Sequence, residues 1–192
     1  GCSGTVLVLI NDQTPEDISV ASTDPICNGE LGTAIAQYVC NDAPCTLEWF
    51  DASTNTTLGL STDTVNLPAG EYFVSITNAT GCSTHYLFTL SEPSSIVPNP
   101  TATPASCNGT CDGMASVAPS GGVGPYTYLW NDPASQTTPT AIDLCAGDYS
   151  VTITDANLCD TTVTITVGSP SPIDVVPTIT DINCNGANDG SI

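Results

Sequence analysis

The tripeptide Cys-Asn-Gly occurs three times, opening at Cys27, Cys107 and Cys184, at separations of 80 and 77 residues. A second set of cysteines, Cys2, Cys82 and Cys159, keeps the same two intervals. Other segments align between these markers: "LPAGEYFVSITNATGC" (67–82) with "LCAGDYSVTITDANLC" (144–159), and "PCTLEW" (44–49) with "PYTYLW" (125–130), which superimposes Trp49 on Trp130. A chain of this kind folds as a tandem array of similar small units, here of about 78 residues, each closing its own core. The phase gives the end of one repeat in 1–15, full repeats in 16–93 and 94–170, and the start of another in 171–192. The sequence is therefore expected to be an excerpt from a longer array. It has no initiator methionine, signal peptide or membrane span, which for an excerpt says nothing about targeting.

Charge removes several function classes. The 192 residues include no Lys or Arg and 20 Asp and Glu, a formal net charge of -20 at pH 7. Nucleic-acid binding depends on cationic side chains that displace counterions from phosphate, so it is not expected. The same charge repels the anionic face of a membrane. Charged residues are nevertheless only 10% of the chain and apolar ones 40%, in alternating runs, which is the pattern of a folded protein.

Ten cysteines with one histidine and no metal-type Cys-x-x-C pairs read as disulfides in an oxidising compartment. Cys107 and Cys111 have a C-x3-C spacing, but no second pair follows to complete a zinc site. "EYFVSITN", "DYSVTITD" and "DTTVTITVG" alternate apolar residues with Thr or Ser at period two and are rich in β-branched residues, as half-buried strands require. No segment of ten or more residues carries a helical period. The predicted fold class is all-β: tandem immunoglobulin-like β-sandwiches, with Trp49 and Trp130 on a middle strand and Tyr72 and Tyr149 on a late one, all core residues. The connectors "SEPSSIVPNP" (91–100) and "GSPSPIDVVP" (168–177) carry prolines, so a semi-rigid rod is expected.

"SCNGTCDGMASV", "SGGVGPYTYLW" and "LCAGDYSVTITDANLCD" together resemble the SprB repeat family, found in very large surface adhesins of gliding bacteria of the Bacteroidota. The resemblance covers nearly all of 104–170 and the "CNGANDGSI" that follows. The first full repeat departs from it, with "CNGELGT" in place of an Asp-Gly and "CNDAPCTLEW" in place of "GGVGPYTYLW". The resemblance implies an extracellular or cell-surface adhesin or stalk exported by the type IX route, related to gliding motility and built as a filament. Its partners are then neighbouring repeats, with surface glycans or abiotic surfaces as ligands. The alternative is a set of accessory or carbohydrate-binding modules beside a secreted enzyme, for which Tyr126 and Tyr128 are the best candidate residues. An enzyme within this sequence is not expected: His85 lies in the alternating run "STHYLFTL" without a matching histidine, and no nucleophile motif, metal triad or phosphate loop is present.

Three sets of site candidates remain. Asp155, Asn157 and Asp160 in "TDANLCD" offer hard oxygen ligands suited to calcium, although Asp and Asn also belong in ordinary turns. Thr64 in "DTV" and Thr161 in "DTT" resemble the motif on which Bacteroidota place O-glycans on exported proteins. Among the cysteines, Cys40 with Cys45 and Cys111 with Cys145 are each confined to one repeat and read as local pairs. The shared cysteines allow three schemes. Pairing within a repeat joins Cys27 to Cys82 and Cys107 to Cys159, and is the default for small secreted domains. Immunoglobulin topology instead puts the opening and closing cysteines at opposite ends, which favours Cys27 with Cys159 of the next repeat. A constant spacing of 25 would join Cys2 to Cys27, Cys82 to Cys107 and Cys159 to Cys184.

Overall fold

A computed structural model describes residues 17–40 and 42–179, and every regular element among them is a β-strand. These residues form two compact units. The first gathers the described residues up to Ile96 with Gly121–Pro125 and Asp155–Cys159; the second holds Val97–Ser120, Tyr126–Thr154 and the described residues from Asp160 onward.

The first unit carries β1 (Ile18–Thr23), β2 (Gly32–Tyr38), β3 (Thr46–Asp51), β4 (Thr56–Thr57), β5 (Thr64–Leu67), β6 (Gly70–Thr77) and β7 (Ser83–Leu90). They form two antiparallel sheets, ordered β1-β2-β5 and β4-β3-β6-β7. This is the strand order of an immunoglobulin-like sandwich. Alternation places one side of each strand inward: Tyr72, Val74 and Ile76 of β6 are buried, as are Leu47 and Trp49 of β3 and Phe88 and Leu90 of β7. The β2 contribution is small, Ala34 and Ala36, which leaves room for the fully buried Trp49 in the same core. Trp49 meets Phe88 edge-on at 5.8 Å, and its indole N–H donates to the Thr62 carbonyl at 2.9 Å, so the ring is buried without stranding its donor.

The second unit repeats the plan with β8 (Pro100–Thr103), β9 (Gly113–Val117), β10 (Thr127–Trp130), β11 (Thr140–Leu144), β12 (Gly147–Thr154) and β13 (Asp160–Val167). Its sheets are β8-β9-β11 and β10-β12-β13. Ala115 again faces a core with a buried tryptophan, Trp130, whose indole N–H donates to the Thr138 carbonyl at 2.9 Å. Where the first unit has the β3–β4 hairpin, the second has a turn organised by buried Asp132. Its carboxylate accepts from the Ala134 and Gln136 amides and from the Gln136 side chain. The Gln136 amide in turn exchanges two hydrogen bonds with the Ile142 backbone, at the point where the β9–β11 register shifts.

Both units carry a tyrosine corner, in which the hydroxyl on the late strand reaches back to the backbone upstream. Tyr72 donates to the Pro68 carbonyl and Tyr149 to the Cys145 carbonyl, each at 3.1 Å. Gly113, at the start of β9, sits where a Cβ would lie 2.5 Å from Val167 Cγ1 and 2.9 Å from the Leu144 carbonyl oxygen. The first unit keeps a glycine at the same place: Gly32 opens β2, with the Thr23 carbonyl oxygen 2.6 Å from where its Cβ would be. The Asp-Gly of the family pattern is thus half retained in "ELGT".

Candidate functional site

Two loop types built alike in both halves of the chain carry the chain's distinctive chemistry. The first is the Cys-Asn-Gly turn between the two opening strands. At Cys27 the Glu30 amide closes the turn on the Cys27 carbonyl at 3.2 Å, Gly29 takes φ +80°, and the Asn28 side chain donates to the Pro93 carbonyl at 3.1 Å. At Cys107 the Thr110 amide closes on the Cys107 carbonyl at 3.2 Å, Gly109 takes φ +82°, and Asn108 donates to the Pro170 carbonyl at 3.4 Å. Left-handed φ at the third position explains the glycine, and the asparagine ties the turn to the proline-bearing segment after the last strand. Asp112 braces the second turn, accepting from the Ser106 amide and the Thr110 hydroxyl at 2.9 Å. The Ser106 hydroxyl and amide, with the Thr110 hydroxyl, hold its carboxyl down at about 2.

The second type joins the last two strands. The Asp155 carboxylate accepts from the Asn157 and Cys159 amides at 2.8 and 3.0 Å through Oδ1, and from the Val123 amide at 2.9 Å through Oδ2. The Val123 amide first, then those of Cys159 and Asn157, hold its pKa below the usual range against the opposing effect of burial. Asn78 performs the same task in the other half, its Oδ1 accepting from the Thr80 and Cys82 amides at 3.1 and 2.9 Å. The residue before the cysteine is left-handed in both loops, Gly81 at φ +86° and Leu158 at φ +69°.

The two loop types meet within the first unit. Cys27 is bonded to Cys159 with a Cα–Cα distance of 5.6 Å, and the Asn157 side chain donates to the Ile26 carbonyl at 3.3 Å beside the bond. This corrects the default of pairing within a repeat and the constant-spacing scheme, and is the pairing that immunoglobulin strand direction favours. Cys27 lies in the β1–β2 connection and Cys82 in the β6–β7 connection, at opposite ends of strands about 25 Å long. A disulfide spans a Cα separation of only about 4–7 Å. Cys40 is bonded to Cys45 and Cys111 to Cys145, while Cys107 carries an exposed thiol. Cys2 and Cys184 lie outside the described residues, as do all of 1–15 and residues 180–192.

The structure gives Asp155 a backbone-organising role, with both carboxylate oxygens facing amide donors. Asn157 turns its amide to Ile26, and exposed Asp160 begins β13. Among the described residues no three His, Cys, Asp or Glu side chains are grouped to hold a metal ion. Thr64 is exposed at the start of β5, and Thr161 is half-buried on the inward side of β13. Tyr126 and Tyr128 are half-buried, Tyr128 on the same side of β10 as Trp130. His85 is exposed on β7 with its ring 5.9 Å from that of Phe73. Phe73 stacks on Phe50 at 4.6 Å, and Ala52, Asn55, Phe73, His85 and Leu87 line a groove of about 420 Å³. Sequence reasoning passed over this aromatic pair. Its signal is Phe73 in "EYFVSIT", an aromatic on the outward step of the alternation.

Residues 99–135 match the SprB repeat. The SprB-repeat match runs from the start of β8 through Trp130 to the turn held by Asp132, and so includes the Cys107 turn and Gly113. No curated protein matches the sequence. Among solved structures, the C-terminal 282-residue fragment of intimin, in complex with the intimin-binding domain of its translocated receptor, is similar at 16% identity and TM-score 0.46, over 79% of this chain and 64% of that one. The three-domain ectodomain of mouse nectin-like molecule 4 is similar at 15% identity and TM-score 0.39, over 84% and 67%. The N-terminal eight immunoglobulin domains of the Down syndrome cell adhesion molecule are similar at 13% identity and TM-score 0.44, over 82% and 25%. The chain thus spans less than two thirds of the intimin fragment and a quarter of the last.

Proposed function

We infer that the chain is a repetitive segment of an exported cell-surface adhesin or stalk, of the kind that gliding bacteria of the Bacteroidota deliver by the type IX route. The SprB-repeat match at 99–135 carries this reading. The disulfides support an oxidising, extracellular setting. The Cys27–Cys159 bond also suits a load-bearing part: a pull applied across those two positions is borne by covalent bonds, and the 132-residue separation between them is shielded from it. The sandwich cores bury both tryptophans and Tyr72 and leave Tyr126, Tyr128 and Tyr149 only half-buried, which supports a structural and adhesive role over an enzymatic one. Any O-glycan would sit more readily on exposed Thr64 than on Thr161. Antiserum against the chain should label unpermeabilised cells of the producing organism, and proteinase K should strip the label. Labelling only after permeabilisation would overturn the reading.

A carbohydrate-binding reading has one observation in its favour, the outward Phe50–Phe73 pair beside His85 and Leu87. Binding on a glycan array that Phe73→Ala abolishes would select it; silence across the array would remove it.

A further inference from the structure

The Cys107 turn reproduces the Cys27 turn in its closing hydrogen bond, its left-handed glycine and its asparagine tie to the following proline segment. At Cys27 that turn is bonded to Cys159, the cysteine of a loop shaped by Asp155. Cys107 instead carries an exposed thiol and borders a groove of about 400 Å³ lined by Ser106, Asn108, Pro170, Pro172 and Ile173. We propose that Cys107 is a covalent docking site for a loop of the form Asp/Asn-x-x-x-Cys from another repeat of this type, so that successive repeats are joined by the bond seen between Cys27 and Cys159. The occupant is read from the molecule itself: the same turn already holds such a loop, and Asn78–Cys82 shows that the loop is built alike in the other half of the chain. The inference does not depend on adhesion as the function.

The chemistry is thiol–disulfide exchange. The Cys107 thiolate attacks a low-molecular-weight disulfide such as oxidised glutathione, forming a mixed disulfide and releasing one thiolate. The thiolate of the incoming cysteine then attacks the Cys107 sulfur and releases the second. Two protein thiols are oxidised and one disulfide is reduced to two thiols, the two released thiolates taking up, through solvent, the protons lost by Cys107 and the incoming cysteine.

The test uses two full-length chains. Cys27→Ser combined with Cys107→Ser leaves Cys159 unbonded in its loop, and the native chain supplies Cys107. In a glutathione redox buffer the mixture should yield a covalent heterodimer whose linked peptides carry Cys107 and Cys159. Adding Asp155→Ala to the first chain should lower the yield about tenfold, since the loop loses its shape while keeping its thiol. No heterodimer, linkage spread evenly over other cysteines, or a yield insensitive to Asp155→Ala would overturn the proposal. Should the doubly substituted chain misfold by circular dichroism, native chain at high concentration with catalytic reduced glutathione provides a second measurement. There Cys107 of one copy displaces Cys27 from Cys159 of another, giving the same linked peptides, and Cys107→Ser must abolish them.

Discussion

Asp155 and Asn78 show how one side-chain oxygen can fix a loop, because each satisfies two amides that would otherwise point into a tight turn without partners. Asp155→Asn should therefore fold with a small loss of thermal stability, keeping the Oδ1 bonds and giving up the Val123 amide. Asp155→Ala should lose markedly more, as a melting series would show. Adding EDTA should leave the melting temperature unchanged, since both oxygens already accept amides; a fall of several degrees would restore calcium to this loop. The hydrogen-bonded carboxylates also set the acid response. Asp112, held at about 2, and Asp155 and Asp132, both lowered, have folded pKa values below the ordinary value near 4. For Asp132 the Gln136 and Ala134 donors outweigh burial, which acts the other way. Their contribution is complete above about pH 4 and is lost as pH falls toward 2. Stability measured by denaturant titration should decline through that window and do so less steeply in Asp155→Asn. The letters "TDANLCD" were legible as an oxygen-rich turn, but a sequence does not show whether the oxygens face a cation or amide hydrogens.

At the scale of the elements, each sandwich is built around one tryptophan and one tyrosine corner. Trp130→Ala removes a fully buried ring and should cost about 3–5 kcal/mol. Tyr149→Phe deletes only the bond to the Cys145 carbonyl and should cost about 1 kcal/mol. Gly113→Ala forces a Cβ against Val167 and the Leu144 carbonyl and should cost about 1–3 kcal/mol. Chemical unfolding followed by tryptophan fluorescence would rank the three. The strands were readable because period-two alternation and β-branched residues coincide in 71–77, 148–154 and 160–167, and the repeat located both tryptophans. Gly113 was visible only as a motif letter, since its reason is the approach of β13 and the β11 backbone. The destination of Cys27 was one of three readings of the sequence: spacing within a repeat favoured Cys82 as the default, whereas the strand direction of the immunoglobulin topology puts the two at opposite ends of the sandwich and leads to Cys159, the pairing found.

For the whole molecule, a net charge of -20 with no Lys or Arg means that every long-range interaction between charged side chains at neutral pH is repulsive. Raising ionic strength from about 0.01 to 0.15 M shortens the screening length from roughly 30 to 8 Å, so the melting temperature should rise with salt. A fall would mean that repulsion is not what limits stability. Against this repulsion stands the Cys27–Cys159 bond, which closes so long a loop that the chain-entropy model assigns it about 5 kcal/mol. That bond is also where fold, repeat and proposed function converge, and non-reducing peptide mapping tests it directly. Because trypsin has no site in the chain, the digest must use an acidic- or aromatic-directed protease. The account predicts a linked peptide pair carrying Cys27 and Cys159, separable only after reduction. Recovery from the monomeric chain of Cys27 linked to Cys82, or of Cys107 linked to Cys159 within one chain, would contradict it.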